Sequence, residues 1–316
     1  MEPDLSVQIG SLTLRHPVMV ASGTFGYGPE YAELVDLSEL GAIVVKGICL
    51  EPTKGNPVPR TVETPSGLIN AIGLPGPGVD EFIRQYLPFL RQFPTPVIVN
   101  IWGHTVEEYG EVARRLAAEE GVSALEINVS CPNIKEGSRA FGVHLDSFRR
   151  VVDTVRAATD LPIIPKLAPN VPDVGVFARA AEEAGADAVS LINSIPAMAV
   201  DVETRRPKLA NVTGGLTGPA IHPIAVKLVW DAARAVRIPV IAMGGIMTAD
   251  DALEFLIVGA TAVAVGTANF VEPRTALLVR DGIREYLRRH RWASVRDLIG
   301  TVQADAPSCG EVGHPY

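Results

Sequence analysis

Short apolar runs alternate along this chain with longer segments in which apolar residues recur every three or four positions. The short runs are Pro17–Ala21, Ala42–Lys46, Val97–Ile101, Ala124–Asn128, Pro162–Leu167, Ala188–Asn193, Pro239–Met243 and Ala262–Gly266. Most lack strict polar alternation, the mark of parallel strands covered on both faces. The longer segments read as helices. In Thr105–Glu120, Val106, Tyr109, Val112, Ala113 and Leu116 form one stripe, and Glu107, Glu108, Arg114 and Arg115 lie off it. Thr105, Asp146 and Thr248 stand where helix N-caps are expected, and Gly121, Gly185 and Gly259 where helices should stop. Eight strand–helix units predict the α/β class and a closed (β/α)8 barrel, the TIM barrel architecture, rather than an open doubly wound sheet.

The first strand is preceded by a different pattern. V-Q-I-G-S-L-T-L, within Leu5–Leu14, alternates polar and apolar residues and predicts a hairpin turning at Gly10-Ser11 that closes the bottom of the barrel. Three connections are long: Gly47–Val79, Ser130–His144 and Ser194–Ile221. Each follows a strand, so each falls on the catalytic face as a lid or binding wall. With no interdomain linker, no low-complexity tract and no repeat beyond the strand–helix unit, residues 1–316 predict one domain.

Composition narrows the class. Hydrophobic residues make up 47% of the 316, enough for a sizeable core, and the formal net charge is −8. Acidic and basic residues are interleaved, so nucleic acid is not an expected partner. No apolar run is long enough to span a bilayer, and Met1–Arg15 lacks the basic segment and apolar core of a signal peptide. Cys49, Cys131 and Cys309 are the only cysteines, too scattered for a disulfide framework. A protein of the reducing cytoplasm is expected.

Candidate chemistry gathers at the strand ends. Asn128-Val129-Ser130-Cys131-Pro132-Asn133 follows the fourth strand, which places a thiol between two side-chain amides on the active face. A lone cysteine is most often a buried filler; the flanking amides and the strand terminus favour proton transfer beside a planar polar ligand. Gly244-Gly245 and Gly266-Thr267 follow the last two strands, where barrels bind phosphate through backbone N–H groups. Gly214–Pro219 would form a third wall. Lys46 and Lys166 lie inside apolar strand runs, and lysine is rarely buried unless paired. Two anionic groups of bound ligands would supply the counter-charges. Asn70, Asn100, Asn128, Asn133 and Asn193 each offer a donor and an acceptor, suited to a ring of alternating N–H and C=O groups.

These motifs, taken in order, carry a family resemblance. S-G-T-F-G-Y-G at Ser22–Gly28, V-V-K-G at Val44–Gly47, N-A-I-G-L at Asn70–Leu74, N-V-S-C-P-N, I-N-S at Ile192–Ser194, L-T-G-P-A-I at Leu216–Ile221, M-G-G-I and V-G-T-A follow one another. The chain resembles dihydroorotate dehydrogenases from about Leu5 to the last helix. L-T-G-P-A-I-H-P-I and Cys131 resemble the NAD-linked branch (class 1B), whereas membrane-bound, quinone-using relatives carry serine at that place. The resemblance implies oxidation of dihydroorotate to orotate in pyrimidine biosynthesis, with one FMN per chain. It implies a partner subunit carrying FAD and a [2Fe–2S] cluster that passes electrons to NAD, and a homodimer within a heterotetramer.

Residue by residue, it places Ala21, Ser22, Lys46, Gly47, Asn100, Asn128, Lys166, Ile192, Gly218, Gly244, Gly245, Gly266 and Thr267 around FMN. It places Lys46, Asn70, Ala71, Ile72, Gly73, Leu74, Asn128, Asn133, Asn193 and Ser194 on the substrate, with Cys131 as the base and no metal. The chain departs from the family at Pro75-Gly76, where Gln-Asn is usual, and at Ser194, where threonine is usual but the hydroxyl is kept. Trp102 stands where a small residue is more familiar, either walling the flavin pocket or packing under the third helix. Three scattered cysteines are too few for a [2Fe–2S] site and no G-x-G-x-x-G turn is present, so NAD would be reached through a second protein. The alternatives are a fumarate-linked relative, a dihydropyrimidine dehydrogenase domain, a tRNA dihydrouridine synthase, a phosphate-binding barrel lyase or isomerase, and a non-catalytic scaffold.

Overall fold

The computed structural model describes residues 2–129 and 141–303. Eight parallel strands close on themselves in sequence order: β1 (Val18–Val20), β2 (Ile43–Ile48), β3 (Val97–Ile101), β4 (Ala124–Asn128), β5 (Ile163–Lys166), β6 (Val189–Leu191), β7 (Val240–Ala242) and β8 (Ala262–Val265). Every residue of these strands is buried except Lys46, which is half-buried. That explains the missing alternation: one face packs on the helices and the other fills the barrel. Strand limits lie within a residue or two of expectation, and β2 runs two residues past Lys46.

The pairing register sets polar side chains side by side. Asn100 of β3 pairs with Glu126 of β4, Asn128 with Lys166 of β5, and Lys166 with Ser190 of β6. Alternate residues of a strand share a face, so Glu126 and Asn128 stand on the same side of β4, in successive layers.

Helices cover the outside. They are α1 (Val106–Ala117), α2 (Leu145–Ala158), α3 (Val174–Glu183), α4 (His222–Ala235), α5 (Ala249–Ile257) and α6 (Thr275–His290). In the α1 stripe Tyr109, Val112, Ala113 and Leu116 are buried and Val106 is half-buried, and Thr105 caps the helix by accepting from the Glu108 N–H. Tyr109 in that stripe donates from its hydroxyl to the Asn128 carbonyl at 2.8 Å, fastening α1 to the end of β4. α2 buries Phe148, Val151, Val152 and Val155, each worth ~1.5–3 kcal/mol relative to exposure. Thr248 and Asp251 form a reciprocal capping box on α5. Gly185 and Gly259 lie at positive φ two residues past α3 and α5, as expected; α1 stops earlier, at Ala117, and Gly121, also at positive φ, lies beyond its C-cap Ala118.

Two expectations need correction. Asp146 is not an N-cap; α2 starts at Leu145 after His144, and Asp146 lies in its first turn, where its charge complements the helix dipole. The eight units are also uneven. Between β1 and β2 there is only a 3-10 turn, Leu37–Glu39, because the glycines and proline of Gly23–Pro29 break any helix. The second crossover winds through Val79–Glu81, a π turn at Phe82–Tyr86, and Leu87–Leu90.

The hairpin forms as expected, Val7–Ile9 pairing with Leu12–Leu14. Val7, Ile9 and Leu14 are buried, and Gly10 abuts Asp187 just before β6, which puts the hairpin at the N-terminal end of the strands. On the opposite end, two long connections do more than loop. Thr61–Thr64 and Gly67–Asn70 from the second, with Ile195–Ala197 and Gly214–Thr217 from the sixth, build a four-stranded antiparallel sheet. Ile69, Ala71 and Leu209 give this lid its own small core.

Candidate active site

A cavity of about 540 Å³ opens above the C-terminal ends of the strands, under the lid. Its floor is polar because the strands end in polar residues there: Lys46, Asn100, Asn128 and Lys166 line it together with Asn193 and Ser194. The side-chain amides are fixed by one another. Asn193 Nδ2 donates to Asn128 Oδ1 at 3.3 Å, the Ser194 N–H donates to Asn193 Oδ1 at 2.8 Å, and Asn70 Nδ2 donates to the Gly215 carbonyl at 3.3 Å. Asn100 gives its Nδ2 to Glu126 at 2.5 Å, which leaves its oxygen on the side of Gly47.

Lys46 is held below the usual ammonium range, chiefly because burial strips its water; Glu30 partly opposes this and Arg60 adds to it. Such an amine gains most from an anionic ligand in the cavity. Glu30 itself lines the cavity and accepts from the Tyr27 N–H at 3.0 Å. The Tyr27 phenol is buried without a hydrogen-bond partner among the described residues, and burial pushes its ionisation far above the usual range.

The far end of the cavity is made of backbone. Gly244 and Gly245 follow β7 at φ 135° and 71°, a path that side chains rarely take. A Cβ on Gly245 would stand 2.7 Å from His222 Cβ and 3.0 Å from the Gly218 carbonyl oxygen. His222, the first residue of α4, braces this turn by donating from Nδ1 to the Gly244 carbonyl at 2.9 Å. Gly266 and Thr267 enter a 3-10 turn after β8. Glycine turns at two neighbouring strand ends leave room for a ligand to approach the main chain, the kind of place where backbone N–H groups can meet a phosphate.

Of the expected residues, Ala21, Ser22, Lys46, Gly47, Asn70, Ile72, Leu74, Asn100, Asn128, Lys166, Ile192, Asn193, Ser194, Gly218, Gly244, Gly245, Gly266 and Thr267 line this one cavity. Ala71 and Gly73 do not. Ala71 packs into the lid core, and Gly73 turns at φ 76° against Asn56, so within N-A-I-G-L alternate residues face the cavity. Cys131 and Asn133 lie outside the described residues. Trp102 is 3% exposed and does not line the cavity; it packs behind Gly47, edge-on to His104 at 5.1 Å. Sequence reasoning missed Glu30, Tyr27 and Tyr31 of the first connection and, beneath the floor, Glu126. A charged residue within the apolar run A-L-E-I-N was the available signal for Glu126, the same one that singled out the lysines. No group of His, Cys, Asp and Glu among the described residues could hold a metal ion.

The family model for dihydroorotate dehydrogenase matches residues 4–287. The chain belongs to the dihydroorotate dehydrogenase family. It is 54% identical over 301 residues to the Geotalea uraniireducens protein named dihydroorotate dehydrogenase B (NAD(+)), catalytic subunit, covering 95% of this chain and 99% of that one. Proteins of the same name from Geobacter sulfurreducens and Thermoanaerobacter pseudethanolicus are 54% and 51% identical over 302 residues, each covering 96% of this chain. They are matched over 99% and 100% of their own lengths. Among solved structures, the Eimeria tenella dihydroorotate dehydrogenase in complex with ferulenol superposes with a TM-score of 0.81 at 26% identity. That match covers 95% of this chain and 88% of the other. Among the described residues no helix of this dihydroorotate dehydrogenase family member is long and apolar enough to cross a membrane.

Proposed function

We propose that this chain is the FMN-binding catalytic subunit of an NAD-linked dihydroorotate dehydrogenase, acting as one domain in the cytoplasm and oxidising (S)-dihydroorotate to orotate for UMP synthesis. The observation that carries this reading is the cavity that joins two lysines, four asparagines and the glycine turns after two barrel strands in a chain 54% identical to subunits of that name.

The cavity fits FMN. Its volume of about 540 Å³ lies within the ~300–1,000 Å³ usual for ligand pockets. Gly218, Gly244, Gly245, Gly266 and Thr267 would hold the phosphate by their backbone. Ala21, Ser22, Lys46, Gly47, Asn100, Asn128, Lys166 and Ile192 would enclose the rest. FMN, when bound, supplies the two-electron acceptor that amino-acid side chains lack.

The chain's own residues do the remaining work. Lys46 offers its desolvated ammonium to the substrate carboxylate. Asn70, Asn128, Asn193 and Ser194 read the N–H and C=O groups of the substrate ring, with Ile72 and Leu74 as apolar wall and Asn133 as a further amide. Cys131 takes the proton from carbon 5 of dihydroorotate. Electrons leave the chain through a partner subunit carrying FAD and a [2Fe–2S] cluster, which reduces NAD; two catalytic and two partner chains make a heterotetramer.

The test is direct. The purified chain is expected to carry a flavin spectrum and to reduce artificial acceptors with dihydroorotate, but to reduce NAD only when the partner subunit is added. Cys131→Ala should keep the flavin and lose turnover by ~10²–10⁴-fold. A colourless preparation, or parent-like turnover by Cys131→Ala, would overturn the reading. Fumarate-dependent turnover without a partner would move the chain to the fumarate-linked branch.

A further inference from the structure

Glu126 is a carboxylate in the middle of an apolar strand, and the mechanism above gives it nothing to do. It is 2% exposed and stands one layer below Asn128 on β4. Three strands converge on it. Oε2 accepts from Asn100 Nδ2 of β3 at 2.5 Å and lies 3.6 Å from Lys166 Nζ of β5; Oε1 accepts from Ser190 Oγ of β6 at 2.8 Å. The side chains of Lys166 and Glu126 are only 8% and 3% exposed.

Burying a carboxylate costs several kcal/mol of lost hydration, which even a good ion pair barely repays. A neutral amide of the same length would still offer an oxygen to Asn100 or Ser190 at far smaller cost. An acid at this position therefore answers a need for negative charge, not for a hydrogen-bond acceptor alone. Two of its partners, Asn100 and Lys166, line the cavity floor.

We propose that Glu126 is a positioning residue that orients Asn100, anchors the Lys166 ammonium, and holds down the reduction potential of the flavin above them. The inference rests on the flavin reading of the cavity. Lys166 alone would favour any negative charge gained by the cofactor, and would make it a strong oxidant slow to release its electrons. Glu126 cancels most of that field while keeping the lysine in place, so the electrons can move on to a low-potential acceptor.

The test is the midpoint potential of the FMN holoenzyme, titrated with dithionite against a reference dye. Glu126→Gln removes the charge at constant length and is expected to shift the oxidised–reduced equilibrium about tenfold towards reduced flavin, ~30 mV upward for a two-electron couple. Glu126→Asp keeps the charge with a shorter reach and should stay closer to the parent than Glu126→Gln does; a merely structural role predicts the reverse order. Ser190→Ala strips a donor from the carboxylate and should move the potential down. An unchanged or lowered potential in Glu126→Gln overturns the proposal; if that variant does not fold, an unchanged or raised potential in Ser190→Ala does so. A parent protein without flavin overturns the reading of the cavity and this inference with it, so the two failures are distinguishable.

Discussion

Replacing Gly245 with alanine tests whether the turn after β7 is shaped to hold a phosphate. At φ 71° any L side chain meets its own backbone, a cost of ~1–2 kcal/mol. The added methyl would also stand 2.7 Å from His222 Cβ and 3.0 Å from the Gly218 carbonyl. Neither neighbour is a flexible tip. His222 opens α4, bonds the Gly244 carbonyl through Nδ1 and packs its ring edge-on against Phe255 at 4.9 Å. The turn has to yield, which at overpacked sites costs a further ~1–3 kcal/mol. If it relaxes by turning its N–H groups away from the cavity, the combined ~2 kcal/mol or more weakens FMN binding roughly 30-fold or more. Titration of the apoprotein with FMN, followed by quenching of flavin fluorescence, measures this directly. Gly300→Ala supplies the comparison: φ is 74° but nothing lies within 4 Å of the new Cβ, so it should lower the Tm and leave FMN affinity intact. Parent-like affinity in Gly245→Ala would refute the phosphate assignment of this turn.

Three further outcomes are expected. Burial holds the His16 imidazole down at about 4, helped by the guanidinium groups of Arg280, Arg15 and Arg284 and opposed by its bond to the Glu39 carbonyl. Its stabilisation is therefore complete above the unfolded value of ~6.5 and is lost as pH falls towards 4, by up to about 3 kcal/mol. Urea unfolding at pH 7 and pH 4 should show the loss, and His16→Gln should abolish that part of it. Lys46, held low by burial, regains a counter-charge when an anion binds, so orotate affinity should fall as pH rises through a range below that of an ordinary lysine. Calorimetric titration from pH 7 to 10 checks this, and Lys46→Met should bind weakly at every pH. Gly215→Ala would drive its methyl into the Ser194 side chain and should raise the KM for dihydroorotate while leaving FMN affinity near the parent value.

The barrel was legible because parallel strands buried on both faces leave uninterrupted apolar runs, and Thr105 and Thr248 mark helix starts chemically. The floor was legible because lysines and asparagines interrupt those runs where nothing apolar requires them. What could not be read was pairing across long separations. Nothing local in Gly67–Asn70 says that it will accept Gly214–Thr217 as a neighbour, so the lid sheet was expected only as loops. The alternation of Asn70, Ile72 and Leu74 towards the cavity, with Ala71 turned away, follows from that pairing and was hidden with it. Glu126 was passed over because it lies two residues inside the strand end, where its partners come from three other strands.

The lid sheet has a consequence for how such a protein can diverge. Asn70 meets Gly215 and Leu68 meets Thr217 across a gap of some 145 to 149 positions in the chain. Substitutions on one side are filtered by what the other side tolerates, so the two segments are expected to drift as a pair, with compensating changes appearing together. The turns after β7 and β8 stand on barrel strands and are outside that bargain, whereas Gly218, which follows Thr217 and packs on Gly67, is tied to it. Selection can therefore reshape what the lid recognises while the glycine turns after β7 and β8 stay as they are.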